Sequence, residues 1–145
     1  MATRNASAEW HGDLQSGSGQ ITVGDDAHTG PYSYKSRFEE EGVSGTNPEE
    51  LLSAALAGCF TMALSLILSE AGHPPDALNS TARAQLRPVD GVPTITQMAV
   101  RTEGVVPGID EDEFRRHAAK AKETCIISRA IAGVDDITLE ASLKA

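Results

Sequence analysis

The sequence contains few of the residues on which several classes of binding protein depend. Lys and Arg number 12 against 21 Asp and Glu, which gives a net charge of −9. Because binding to nucleic-acid phosphates needs clustered cations, no nucleic-acid partner is expected. Only two cysteines are present, Cys59 and Cys125, and they lack CxxC spacing. Two cysteines are too few for a disulfide scaffold, and this spacing is not that of a zinc site.

Metal-binding and targeting patterns are also missing. The four histidines are scattered without ligand spacing, so no metal site is expected: His11, His28, His73 and His117. The first ten residues lack the apolar region of a secretory signal. We therefore expect a cytoplasmic protein without a bound metal.

One stretch, residues 51–68, lacks charge altogether and lies within a predicted long helix. Asn47 is a suitable N-cap, Pro48 fits the first helical position, and Gly72 provides the left-handed stop. Glu50, three residues after Asn47, occupies the return position of a capping box. Apolar residues fall on every side of this helix, which predicts that it is buried all round.

The uncharged stretch is long enough for a membrane span, but its flanks are acidic and small residues dilute it. We expect a core helix and no membrane partner. A helix of about 24 residues is about 36 Å long, and one domain of 145 residues has difficulty covering it. A second copy of the chain would cover the rest, so we expect a homodimer with the central helices near its middle.

The remaining elements surround this helix. The patterns predict strands at residues 6–10, 20–23, 32–38, 80–89, 94–106 and 137–143, and helices beginning at Asp110 and at Ile126. Residues 88–93 are predicted to be a hairpin turn, and the last short helix is predicted to end at Gly133. The predicted order is βββ-α-ββ-α-β, an α+β fold in a single domain over residues 1–145.

The residues alone leave the chemistry open. Cys59 lies in the middle of the predicted helix, where a free cysteine often acts as a small hydrophobe. Cys125 lies at a helix junction, where free amides could lower a thiol pKa. Their positions differ by 66 in the sequence, and this separation does not indicate whether they meet. Arg37 could simply form a solvated ion pair, and Glu49 could simply complement the helix dipole.

Several segments resemble the OsmC/Ohr family of osmotically inducible and organic hydroperoxide resistance proteins. Residues 47–51 read NPEEL, residues 57–60 read AGCF, and Cys125 begins a Cys-x-x-Ser motif. Residues 10–13, 69–72 and 106–110 extend the likeness over nearly the whole chain. The position of Arg37, within Ser-Arg-Phe, resembles the OsmC branch more than the Ohr branch.

The resemblance implies a thiol-dependent peroxidase that acts in stress defence. Cys59 would attack the peroxide and form a sulfenic acid, and Cys125 would resolve it as a disulfide. Arg37 would stabilise the thiolate, and Glu49 would hold Arg37. A guanidinium suits this role because it stays charged and can also engage a carboxylate bidentately. An external dithiol, a lipoyl group in this family, would reduce the disulfide, without metal, haem or flavin.

Apolar neighbours of the cysteines favour organic hydroperoxides over hydrogen peroxide as substrates. These neighbours are Phe60, Met62, Ile126 and Ile127. Glu49 and Cys59 are ten residues apart on one helix, about 15 Å along its axis. We therefore expect Arg37 and Glu49 to serve Cys59 of a second subunit.

One feature departs from the family pattern. Ile126 follows the second cysteine where the family often has proline, so the preceding helix is less firmly stopped and Cys125 is expected to resolve more slowly. Two other functional classes stay open at this point: a non-enzymatic stress-related dimer and a thiol redox sensor.

Overall fold

The computed structural model describes residues 2–39 and 43–144, whose backbone forms six strands and four helices. The chain divides into two compact units, Met1–Leu51 and Leu52–Ala145, which are described in turn. Strands and helices follow each other in blocks, so the predicted α+β class is confirmed. The single domain over residues 1–145 stays a prediction.

A three-stranded antiparallel sheet forms most of the first unit. Its strands, in spatial order, are β1 (Ala6–His11), β2 (Ser18–Val23) and β3 (His28–Ser33). Trp10 and Tyr32 pair with Gly19 from the two neighbouring strands, and their ring centroids are 5.2 Å apart. A Cβ on Gly19 would lie 2.7 Å from the Tyr32 ring and closer still to the Glu9 carbonyl oxygen. Only glycine allows this close approach.

A short helix, α1 (Tyr34–Phe38), replaces most of a predicted strand. The prediction of a strand over residues 32–38 is wrong beyond Ser33. The Ser33 hydroxyl accepts a hydrogen bond from the Ser36 N–H, and the Ser36 hydroxyl accepts one from the Ser33 N–H. This capping box provides local hydrogen bonds that compete with strand pairing. Arg37 therefore lies on a helix. The sequence Glu-Glu-Glu-Gly at residues 39–42 predicts a solvated turn, which falls largely outside the described residues.

The central helix, α2 (Pro48–Glu70), begins and ends where the sequence predicts. Asn47 Oδ1 accepts a hydrogen bond of 2.8 Å from the Glu50 N–H. Gly72 adopts a φ of 85°, and the following N–H, that of His73, donates to the Leu68 carbonyl at 2.9 Å. The return half of the capping box differs from the prediction, because the Glu50 carboxylate accepts a hydrogen bond from the Thr46 hydroxyl.

Within the second unit, α2 buries one face rather than all of its surface. Its fully buried side chains recur about once per turn: Leu56, Phe60, Leu64 and Leu68. On the other side, Met62 is 77% exposed and Leu66 is 60% exposed. The single chain therefore covers only one face of α2, and burial of the other face by a second copy stays a prediction. By length and composition α2 could cross a membrane, a test that the core helix of a soluble protein also passes.

The second sheet consists of β4 (Ala77–Val89), β5 (Val92–Val105) and β6 (Asp136–Leu143), with β5 in the middle. The predicted hairpin is confirmed, since β4 and β5 pair antiparallel, and β6 joins β5 in parallel. The turn is tighter than predicted. Val89 pairs with Val92, which leaves only Asp90 and Gly91 in the loop, with φ values of 51° and 78°. Positive φ at both positions is typical of a type I′ hairpin turn.

Two further helices pack in this unit, α3 (Glu111–Thr124) and α4 (Ile126–Ala130). The side chains at Phe114, Ala118 and Ala121 form the apolar stripe that the spacing of these residues predicts for α3, and all three are fully buried. Helix α4 ends before the predicted Gly133. Residues of α2, β5 and α3 share one core, which contains the buried face of α2, Met98, Val100, Phe114 and Cys125.

Asn47 joins α1 to the start of α2, because its side-chain amide also donates to the Ser36 carbonyl at 2.9 Å. Replacing Asn47 with alanine should lower the free energy of unfolding by about 1–3 kcal/mol, since the cap is lost and the partly buried Ser36 carbonyl loses its donor. Asn47→Asp keeps the oxygen that accepts the capping hydrogen bond, so it should lower the free energy of unfolding by a smaller amount. Urea denaturation measures both, and equal losses would contradict a stabilising role for the cap.

Candidate active site

The second unit brings the two cysteines together. Cys59 lies in the middle of α2, half-buried and packed against the core, and Cys125 is only 2% exposed. Both are free thiols. Cys125 belongs to the core cluster against which Cys59 packs, and the interaction of the two thiols shifts the pKa of each. The fold thus provides the proximity that sequence spacing could not indicate.

Cys125 occupies a break between two helices. Its N–H donates to the Ala121 carbonyl at 2.9 Å, which closes α3, and its φ and ψ of −57° and 134° end the helical path. Its sulfur then accepts a hydrogen bond of 3.4 Å from the Ser128 N–H in the first turn of α4. Helix α3 therefore stops at Thr124 although no proline follows Cys125. Slower resolution by Cys125 stays a prediction.

The surroundings of Cys125 favour its thiolate. Burial raises the pKa of Cys125. The hydroxyl and N–H of Ser128 lower this pKa, and so do hydrogen bonds from Cys59 and from the Ile127 N–H. The donors together outweigh burial, so the pKa of Cys125 lies below its ordinary value. Donors are effective here because they stabilise the charged form of the sulfur directly.

The pKa of Cys59 is shifted in the opposite direction. Burial raises the pKa of its thiol, and interaction with Cys125 raises it further. The backbone N–H groups of Ile127 and Ile126 lower it, but by less. Within these surroundings Cys59 is therefore held mainly as a thiol at neutral pH, and a positive charge would be needed to make it a ready nucleophile.

The first unit brings together the predicted arginine and glutamate. Arg37, on α1, donates through Nε to both carboxylate oxygens of Glu49 at 3.1 and 3.2 Å, and through Nη2 to Oε1 at 2.7 Å. The Glu49 side chain is 12% exposed and that of Arg37 is 42% exposed. A forked contact to a nearly buried carboxylate fixes the plane of the guanidinium while one of its faces stays accessible.

The structure changes the expected apolar surroundings. Phe60 is fully buried in the core and does not line an open site, whereas Ile126, beside Cys125, is 75% exposed. Sequence reasoning also missed the contact of Ser128 with the Cys125 sulfur. The Cys-x-x-Ser spacing was the available signal, because the third residue after an N-cap commonly donates its N–H to the capping side chain.

Two histidines that are distant in sequence approach one carboxylate. His73 Nε2 and His117 Nε2 lie 3.8 and 3.7 Å from Glu113 Oε1. Across residues 2–39 and 43–144, no group of three or more His, Cys, Asp or Glu side chains is arranged to hold a metal ion.

An α+β scaffold that brings two free thiols together defines a two-cysteine thiol protein. Comparison with known proteins identifies the family. The sequence model of the OsmC-like protein family matches residues 40–140, and the chain belongs to this family. The chain is 42% identical over 142 residues to peroxiredoxin OsmC of Escherichia coli, covering 97% of this chain and 96% of that protein.

Other relatives extend the comparison. The organic hydroperoxide resistance protein of Xanthomonas axonopodis pv. citri is 31% identical over 101 residues, 68% of each chain. A crystal structure of the organic hydroperoxide resistance protein OsmC of Legionella pneumophila superimposes with a TM-score of 0.74 at 23% identity, covering all of both chains. The latter likeness concerns the fold alone. The higher identity to OsmC confirms the predicted branch, and the names of these relatives support a peroxidase role in the family.

The different exposure of the two thiols predicts different labelling rates. Because Cys59 is half-buried and Cys125 is buried, a bulky maleimide should label Cys59 at least about tenfold faster in the native reduced protein, despite the lower pKa of Cys125. Peptide mass mapping after a timed quench measures this. In guanidinium chloride the two rates should become similar. Faster native labelling of Cys125 would show that thiolate content outweighs access.

Proposed function

We propose that this chain is a cysteine-based peroxidase that reduces organic hydroperoxides to alcohols in stress defence. The observation that carries the proposal is the pair of interacting free thiols, one half-buried and the other buried. The names of the OsmC and organic hydroperoxide resistance relatives support the same reaction class.

The greater exposure of Cys59 supports its role in the first step. Its thiolate attacks the outer peroxide oxygen, the O–O bond breaks, and the alcohol leaves after taking a proton, while Cys59 becomes a sulfenic acid. The Cys125 thiolate then attacks the Cys59 sulfur. An S–S bond forms, the S–O bond breaks, and hydroxide leaves as water after protonation. The lowered pKa of Cys125 supports this second role, because its thiolate forms more readily than that of an ordinary cysteine.

Arg37 is proposed to supply the positive charge that Cys59 needs. Burial raises the pKa of Cys59, and a guanidinium beside the sulfur would reverse this by stabilising the thiolate. The bidentate contact with Glu49 would hold Arg37 in position. Because Glu49 and Cys59 are ten residues apart on α2, about 15 Å along the axis, we propose that this charge comes from a second subunit.

A homodimer is part of the same proposal. Met62 and Leu66 lie one turn apart on the exposed side of α2, and Gly58 lies one turn before them. Two large exposed apolar side chains preceded by a glycine form a surface on which another helix can pack closely. We propose that a second copy of the chain covers it.

The exposed Ile126 beside the cysteines supports an organic peroxide as substrate. We propose an external dithiol as the reductant, of the lipoyl class, because the completed disulfide must receive two electrons before the next turnover.

The proposal predicts how the thiols respond to peroxide. One equivalent of cumene hydroperoxide should remove both free thiols from the reduced protein and lower its mass by about 2 Da at monomer size. Hydrogen peroxide should react more slowly. Cys125→Ser should stop at a sulfenic acid that dimedone traps, and Cys59→Ser should not react. Intact mass and a thiol count measure these changes. Two thiols still free would overturn the proposed function.

Mixed dimers test whether the site is shared. Arg37→Ala chains and Cys59→Ser chains should each be nearly inactive, but their heterodimer should regain roughly one working site if Arg37 acts across subunits. Peroxide turnover by affinity-purified heterodimers, made with two different tags, measures this.

The matched control pairs a wild-type chain with a chain that carries both substitutions. A shared site leaves this heterodimer inactive, whereas a site within one chain leaves it half active. Activity in the control together with inactivity in the first mixture would place the site in one subunit.

A further inference from the structure

Ser128 has an unexplained hydroxyl at the buried cysteine. Ser128 is 7% exposed. Its hydroxyl oxygen is buried and makes no hydrogen bond to any residue that the structure describes. The same residue donates its N–H to the Cys125 sulfur at 3.4 Å. The hydroxyl lies close enough to the sulfur to favour its charged form.

A buried hydroxyl with no committed acceptor is unfavourable in the folded protein, and alanine would fill nearly the same volume without that penalty. The unused donor is therefore suited to a state in which the neighbouring sulfur carries a full negative charge. Within the proposed cycle, Cys125 carries that charge whenever its disulfide with Cys59 is absent or has just been opened.

We propose that Ser128 stabilises Cys125 as the departing thiolate, so that the reductant attacks Cys59 and the disulfide opens in one direction. This inference rests on the proposed function. It adds a residue that acts when the disulfide is reduced, whereas Arg37 and Glu49 are proposed to act when the peroxide is reduced.

A dithiol reduces the Cys59–Cys125 disulfide in two thiol–disulfide exchanges. A thiolate of the reductant attacks the Cys59 sulfur, a mixed disulfide forms, the Cys59–Cys125 bond breaks, and its electron pair stays on Cys125. The second thiolate of the dithiol then attacks the reductant sulfur of the mixed disulfide and releases Cys59 as a thiolate. The dithiol is oxidised by two electrons and the protein is reduced by two.

Access and leaving-group stability favour the same direction. Cys125 is 2% exposed, so an incoming thiol reaches the half-buried Cys59 more readily. The Cys125 thiolate, with the Ser128 N–H donating to it and the buried Ser128 hydroxyl in the same residue, is also the better leaving group, since exchange is faster when the departing thiol has a lower pKa.

The test uses full-length protein whose disulfide is formed with diamide and verified by intact mass. Excess 2-mercaptoethanol is added, the reaction is quenched with acid at early times, and released thiols are trapped with maleimide. Peptide mapping should find the mercaptoethanol adduct on Cys59 and the maleimide on Cys125. Ser128→Ala should slow opening by about three- to tenfold, because one hydrogen bond to the leaving sulfur is lost.

The control is Thr124→Val. The Thr124 hydroxyl is next to Cys125 in sequence, but it donates to the Lys120 carbonyl at 2.9 Å, so the disulfide of this variant should open at the wild-type rate.

A titration tests the Ser128 contact separately. In a Cys59→Ser background, Ser128→Ala should move the midpoint of thiolate absorbance of Cys125 upward by about one pH unit, which a merely structural role would not do.

Equal rates for Ser128→Ala and wild type, or a mercaptoethanol adduct on Cys125, would overturn this inference. Failure of diamide to form the intramolecular disulfide would instead contradict the proposed function. The absorbance titration still tests the Ser128 contact in that case, and an unchanged midpoint would overturn it.

Discussion

The burial of one face of α2 is the constraint on which the second unit depends. Leu56, Phe60 and Leu64 enter the core at intervals of about one helical turn and so fix how the helix is rotated. Cys59, directly before Phe60, is thereby held at the margin of the buried face, where it is neither fully enclosed nor free. A thiol at this margin can meet a buried partner on one side and a solute on the other.

The two thiols are prepared by different means. Cys125 receives its hydrogen bonds from a chain segment that begins with the cysteine itself, so its environment is complete once α4 forms. Cys59 lies within a regular helix whose own amides are committed to the helix, and burial raises its pKa. The Ile126 and Ile127 N–H groups oppose burial only in part. In the proposed function the further stabilisation comes from Arg37, whose bidentate contact with Glu49 fixes its geometry before any substrate arrives.

Local signals were sufficient for much of the fold and for part of the site. Asn47, Pro48 and Gly72 determine the ends of α2 through interactions within a few residues of the chain, which is why the sequence alone predicts them. The strand prediction over residues 32–38 failed because reciprocal hydrogen bonds between Ser33 and Ser36 outweighed an alternating pattern. The meeting of the two cysteines depends on how α2, α3 and α4 pack, and the intervening residues 60–124 contain no simple signal for it.

The missing proline after Cys125 illustrates how one substitution can affect both thiols. The chain does not need proline to stop α3, because the N–H of Cys125 closes that helix on Ala121 and the backbone then turns away. A proline has no N–H, whereas Ile126 retains one, and this N–H is among the groups that lower the pKa of Cys59. Isoleucine at this position therefore provides both a donor to Cys59 and an exposed apolar side chain beside Cys125. In the proposed function, this donor on the chain of Cys59 itself adds to the positive charge that Arg37 supplies.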